Sequence, residues 1–148
     1  MNFACGVDIN ASREKVIALF DNPNNMKHWQ DGFVSFKNIS GEKGTVGSES
    51  IITYNIKNRE IELIETVVVR DLPREFTGNY VFKEGANSMR NLFKEITPQK
   101  TRYTAEVNYY EINSFIMKLM SWFFPGIFKK QVQKWMNQFK DFVEKHPD

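Results

Sequence analysis

The stretch 113–145, NSFIMKLMSWFFPGIFKKQVQKWMNQFKDFVEK, decides the fold. In its second part Phe128, Val132, Trp135, Met136, Phe139, Phe142 and Val143 recur at spacings of three and four, which is one face of a 3.6-residue helix. Lys129, Lys130, Lys134, Asn137, Lys140, Asp141 and Glu144 cover the opposite face. A stripe of this kind has to be buried against something. The stretch reads as one long amphipathic helix with a break near its start. Pro125 removes a helix hydrogen bond and clashes with the preceding turn, and Gly126 adds backbone freedom. The break predicts a separate segment over 114–124 and a main helix from about Gly126.

Upstream, the pattern supplies the partner surface. Residues 2–9 alternate as a strand, with Phe3, Cys5, Val7 and Ile9 on one side. A helix follows with Ser12 as N-cap, a buried side of Val16, Ile17, Leu19 and Phe20, and a stop at Asp21-Asn22-Pro23. A second short helix covers 24–28 and ends at Trp29, which packs beneath the helix pair or closes one end of an interior. From Gly32 the period becomes two. Strands are expected over 33–39, 48–56, 61–71, 75–82, 88–96 and 101–110, with turns at 84–87 and 97–100. Short turns join antiparallel neighbours only. A six-strand meander with an added N-terminal strand would coil around the final helix.

Composition narrows the function classes. The net charge of +2, with both signs interspersed, leaves no nucleic-acid footprint. Thirteen Phe, five Tyr and three Trp admit two readings, a densely aromatic core or rings lining a cavity for an apolar ligand. Cys5 is the only cysteine, which excludes an internal disulfide and fits a reducing compartment. His28 and His146 have no metal-ligand spacing, so neither a metal nor a cofactor is expected. No basic region followed by an apolar run opens the chain. The apolar window 115–128 is too short for a transmembrane segment and contains Lys118. A cytoplasmic protein is expected, as monomer or homodimer.

Taken together, the order of elements and several short signatures resemble the START-like or Bet v 1-like (SRPBCC) superfamily, in particular its polyketide cyclase/dehydratase-like branch. The signatures are Ala11-Ser12-Arg13-Glu14-Lys15-Val16, Asn25-Met26-Lys27-His28-Trp29, Ile39-Ser40-Gly41 leading into Gly44-Thr45-Val46-Gly47, Glu65-Thr66-Val67, Leu72-Pro73-Arg74, and Phe139-Lys140-Asp141-Phe142-Val143-Glu144. The resemblance implies a single α+β helix-grip domain over 1–148, with a curved antiparallel sheet of about seven strands around the long C-terminal helix. It also implies a cavity between sheet and helix for lipids, polyketides, sterols, quinones or similar molecules. It transfers no catalytic residues.

Candidate site residues follow from strand parity and the helical stripe. Ile61, Leu63, Glu65, Val67 and Val69 share the interior face, and Glu62, Ile64, Thr66, Val68 and Arg70 the outer one. Glu65 is then either a general acid/base or polar anchor, or a carboxylate paired with an Arg or Lys at the rim. Tyr54, Tyr80, Tyr103 and Tyr109 either converge with Asn91 and Glu65 on a ligand or only pack. Met89 and Phe93 share the strand of Asn91, while Phe128, Val132, Trp135, Met136 and Phe139 supply the helix wall. The glycines of 41–47 lead into a strand, so a turn near the cavity mouth is favoured over a phosphate cradle. Three functions are compatible: a ligand carrier, a cyclase/dehydratase-like enzyme using Glu65, tyrosines or Arg90, or a partner-binding module using 115–128.

Overall fold

A computed structural model describes residues 1–124 and 126–148. Its strands are β1 (Asn2–Ile9), β2 (Phe33–Ser40), β3 (Glu49–Ile56), β4 (Arg59–Asp71), β5 (Glu75–Phe82), β6 (Gly85–Thr97) and β7 (Lys100–Ile112). The helices are α1 (Arg13–Phe20), α2 (Met26–Trp29), α3 (Phe115–Phe123) and α4 (Ile127–Lys145), with a 3-10 turn at Pro23–Asn25. All seven strands form one antiparallel sheet in the order β1-β7-β6-β5-β4-β3-β2, so β2 to β7 are the meander and β1 closes onto β7.

Local chemistry accounts for the boundaries. The Ser12 hydroxyl accepts the Lys15 N–H at 3.2 Å and starts α1. The Asn22 side chain caps the turn that opens with Pro23. Lys57 and Asn58 both have positive φ, 53° and 63°, which is what a two-residue hairpin turn between twisted strands requires. The β5–β6 and β6–β7 turns are shorter than the sequence suggests, because β6 begins at Gly85 and β7 at Lys100. Gly85 is a strand residue pressed against β7. A Cβ there would collide with the Glu111 carbonyl oxygen, so the glycine marks a close approach. In the loop 41–47 the Gly47 N–H donates to the Val67 carbonyl at 2.8 Å, which commits that amide to the sheet.

A β-bulge between Val67 and Val69 corrects the expected parity of β4. Val67 lies opposite Gly78, but Val69 lies opposite Thr77 and Arg70 opposite Phe76. The extra residue exchanges the faces beyond it. Arg70 is thereby brought to the side of α1, where its guanidinium grips Asp21 with hydrogen bonds of 2.8 and 2.6 Å.

The C-terminal stretch divides as its sequence suggests. Phe124 caps α3, α4 starts at Ile127, and Pro125, where the break was expected, lies outside the described residues. The core lies between α4, α1, α2 and the β1-β7-β6 limb of the sheet. It contains Val7, Ile9, Val16, Trp29, Phe93, Tyr103, Ala105, Met136, Phe139 and Val143. Phe139 is fully buried, with its ring at 6.0 Å from Phe20, 4.9 Å from Trp29 and 5.7 Å from Tyr103. Phe139→Ala should therefore cost about 3–5 kcal/mol, measured by urea unfolding, whereas Phe115→Ala on exposed α3 should change stability little.

Candidate functional site

The concave face of the sheet has a closed end and an open one. Under α1 and α2, Asn91, Phe93, Tyr103, Met136 and Phe139 are all buried. Toward α3, side chains on the same face stay half-buried: Ile61, Leu63 and Glu65 on β4, Tyr80 and Phe82 on β5, Met89 on β6, Tyr109 on β7, and Phe128 and Val132 on α4. α4 packs along β1 and α2 and reaches the far limb of the sheet through Trp135. That indole stacks on Tyr54 at 5.1 Å. These half-buried side chains, mostly aliphatic and aromatic, line a less tightly packed end of the face between β4–β5 and the first half of α4, called the groove below. Phe128, Phe82 and Phe3 gather around Tyr109, with centroids 5.1, 6.3 and 6.2 Å from its ring.

Two further grooves lie on the outside of the molecule. One, of about 550 Å³, runs between α2 and the end of α4 past His28, Trp29 and Phe142. The other, of about 450 Å³, runs between α1 and Leu72-Pro73.

One polar pair stands in the interior groove. Glu65 and Tyr80 are directly opposite in the β4–β5 ladder, and the Tyr80 hydroxyl donates to Glu65 Oε2 at 2.8 Å. The pair depends on Gly78. Tyr80 lies back along its own strand over that residue, so a Cβ at Gly78 would stand 2.6 Å from the Tyr80 hydroxyl oxygen. Burial pushes the Glu65 carboxyl above its usual range, and the Tyr80 hydrogen bond pulls only part of the way back. The Tyr80 phenol is held well above its usual range by burial and then by the charge of Glu65. No Arg or Lys reaches Glu65 among the described residues, so the partner expected at the sheet rim is replaced by a tyrosine hydroxyl.

The remaining candidates divide between the groove and the core. Tyr103 donates to Asn91 Oδ1 at 2.7 Å, and the Asn91 amide donates to the Phe76 carbonyl at 3.2 Å. That pair is satisfied inside the closed end and does not converge with Glu65. Tyr54 donates to Gln30 Oε1 at 2.7 Å, tying α2's exit to β3. Burial raises the Tyr109 phenol to about 12. Met136, Phe93 and Phe139 are core, Met89 and Val132 are half-buried and pack against it, and Phe128, Tyr109, Tyr80 and Glu65 line the groove. Arg90 is on the outer face, paired with Glu75 at 3.1 Å and Glu106 at 3.2 Å. Ile61 and Leu63, expected on the interior face with Glu65, line the groove; Phe82 and Gly78 join them and were not named as site residues. Phe82 shares strand parity with Tyr80, which was the available signal.

The raised Glu65 carboxyl fixes a pH dependence. Below its unfolded value, near 4.5, the group is protonated in both states and contributes no penalty. As pH rises toward the higher folded-state value, the unfolded chain ionises first, and stability falls. Above that value the loss is constant. Glu65→Gln keeps the acceptor for Tyr80 and removes the cost. The variant should melt higher than the wild type at neutral pH, with the gain vanishing below pH 4.5. A gain independent of pH would contradict a buried, ionisable Glu65.

No family model matches the chain, and none of the curated proteins matches it in sequence. Solved structures match it over nearly its whole length. A conserved protein from Geobacillus kaustophilus is 14% identical, with a TM-score of 0.80 over 98% of this chain and 96% of the other. The ginseng major latex-like protein 151 from Panax ginseng is 14% identical, with a TM-score of 0.76 over 97% of each chain. The Zhui aromatase/cyclase from Streptomyces sp. R1128 is 6% identical, with a TM-score of 0.81 over 98% of this chain and 94% of that one. At such identities the likeness is one of fold. No described helix is long and apolar enough to cross a membrane. The curved seven-stranded antiparallel sheet gripping a long C-terminal helix is the helix-grip fold of Bet v 1-like proteins, as the sequence resemblance implied.

Proposed function

We propose that the chain acts as one helix-grip domain that binds a small apolar or amphipathic molecule in the groove between β4–β5 and α4. Lipids, polyketides, sterols and quinones are the classes in view. The observation that carries this reading is the contrast along one face of one sheet. Its α1 end is packed shut, while its α3 end leaves Leu63, Phe82, Met89, Tyr109 and Phe128 half-accessible around the single pair Glu65–Tyr80. Ligand sites commonly combine an apolar lining with a few placed polar groups. A carboxyl whose ionisation is disfavoured suits a neutral hydroxyl or carbonyl head and disfavours a carboxylate. The buried Cys5 thiol suits a reducing, cytoplasmic setting.

A cyclase/dehydratase-like enzyme is the second reading, and the same pair favours it. A carboxyl shifted toward neutrality beside a phenol can act as general acid or base, and one protein of similar fold is an aromatase/cyclase by name. Arg90, on the outer face, takes no part. The binding reading stands ahead because two of the three other interior tyrosine hydroxyls are committed elsewhere, Tyr54 to Gln30 and Tyr103 to Asn91.

Native mass spectrometry of the purified protein, followed by solvent extraction, should recover a bound apolar molecule. A ligand selective for the folded state stabilises it by about 2.7 kcal/mol at a hundredfold excess over its Kd. Thermal scans with sterols, quinones, fatty alcohols and fatty acids should therefore show a rise of several degrees with at least one neutral compound. Gly78→Ala, which displaces the Tyr80 hydroxyl, should weaken that compound about tenfold, the order of one hydrogen bond to a charged or polar anchor. Turnover of a polyketide-like substrate that falls about 100-fold in Glu65→Gln would move the enzyme reading ahead. Failure of every compound to raise the melting temperature, with nothing extracted, would remove the binding reading.

A further inference from the structure

α3 is turned the wrong way for a helix that serves only the fold. None of its residues is buried. Phe115, Ile116, Trp122 and Phe123, with Phe124 just beyond, are between 65% and 77% exposed. At 100° per residue Trp122, Phe115, Leu119, Phe123 and Ile116 fall on one continuous face, with Lys118 at its edge. The polar Ser121 and the two methionines Met117 and Met120 lie on the other side. An exposed apolar patch of this size marks an interaction surface.

Charge says what kind of surface covers it. Between Glu111 and Asp141 the chain has no acidic residue, but it has Lys118, Lys129, Lys130, Lys134 and Lys140. Lys118, Lys129 and Lys130 are all exposed. Lys129 and Lys130 occupy the first turn of α4, which has no acidic residue and no side-chain cap. Helix dipoles disfavour cations at that position, so the pair does not stabilise α4. A second copy of the chain docked symmetrically on α3 would bring like charges together. Of the acids flanking α3's start, Glu84 pairs with Arg59 and Glu111 accepts from the Asn113 side chain. Trp and Phe on a face bordered by lysines is the composition of a helix lying in a lipid headgroup region.

We propose that the outer face of α3 docks on an anionic lipid surface, with Trp122, Phe123, Phe115 and Ile116 entering the interface and Lys118, Lys129 and Lys130 meeting the headgroups. The docking does not require a ligand in the groove. Its test can therefore fail or succeed independently of the binding function proposed above.

The experiment is cosedimentation of the full chain with phosphatidylcholine vesicles, with and without phosphatidylserine. The protein should pellet with the phosphatidylserine vesicles, pellet less with phosphatidylcholine alone, and be released by salt. Its tryptophan emission should shift to the blue. Trp122 is the exposed one of the three tryptophans, so Trp122→Phe should retain binding and lose the shift. Trp122→Ser with Phe123→Ser should abolish binding, and Lys129→Glu with Lys130→Glu should weaken it about tenfold or more. All four substituted side chains are exposed, so melting temperatures should stay at the wild-type value. Wild-type protein that remains in the supernatant with phosphatidylserine vesicles would overturn the proposal. So would a serine variant that binds as well as wild type. A lipid-free dimer by analytical ultracentrifugation, lost in the serine variant, would assign the face to a second copy instead.

Discussion

The packing of the Phe139 ring among Phe20, Trp29 and Tyr103 joins three separate parts of the chain: α1, the exit of α2, and β7. Each is brought there by local sequence, through the Ser12 cap, the Asn22-Pro23 turn and strand alternation. Once Phe139 and Val143 are seated, α4 must lie along β1 and α2. A straight helix on a curved sheet cannot keep core distance to both limbs at once. On the far limb Trp135 stacks on Tyr54, with Tyr54 itself fixed to Gln30, and Trp135 and Lys134 bond Asp31 ahead of β2. The groove toward α3 is the space left by that compromise. It follows from how the closed end is packed.

Within that space the Glu65–Tyr80 pair runs against stability. A carboxyl on an interior face costs free energy when ionised, and the surroundings offer it one neutral hydroxyl. The sheet nevertheless makes room for this arrangement, since Gly78 is a strand glycine whose missing side chain is the space Tyr80 occupies. Glycine in a strand interior is itself unfavourable. Two destabilising choices that serve one hydrogen bond support the binding site proposed around this pair.

The architecture was readable because it rests on periodicity. The stripe from Phe128 to Val143, the alternation from Phe33 onward and the proline stops gave element order, topology and the division of the C-terminal stretch. Boundaries failed where a residue's role depends on its neighbour: Gly85 looks like a turn residue until β7 is placed against it. The parity of β4 held through Glu65 and Val67 and reversed beyond Val68, at Val69 and Arg70, because a bulge has no periodic signature of its own. For the same reason, position on a face did not separate groove from core. Asn91 and Tyr103 share the face of Glu65, yet they pair with each other under α1. Helical phase likewise could not distinguish Met136, in the core, from Val132 beside the opening. That distinction depends on where α1 and α2 stop.

α3 carries exposed aromatic side chains, Phe115, Trp122 and Phe123, that the groove does not bury. α3 is anchored at its start, where the Ser114 hydroxyl accepts the Met117 N–H at 3.3 Å and the Asn113 N–H donates to the Glu84 carbonyl at 2.7 Å. Rotating α3 to turn its aromatic face inward would give up this cap and place Lys118 nearer to hydrocarbon. Met117 and Met120, on the opposite side of α3, are half-buried, and methionine adapts to varied shapes better than an aromatic ring does. An apolar molecule that leaves a lipid phase for a protein interior pays least when its path avoids water. If both proposals hold, docking of α3 on a lipid surface gives such a molecule a path of that kind to the proposed groove.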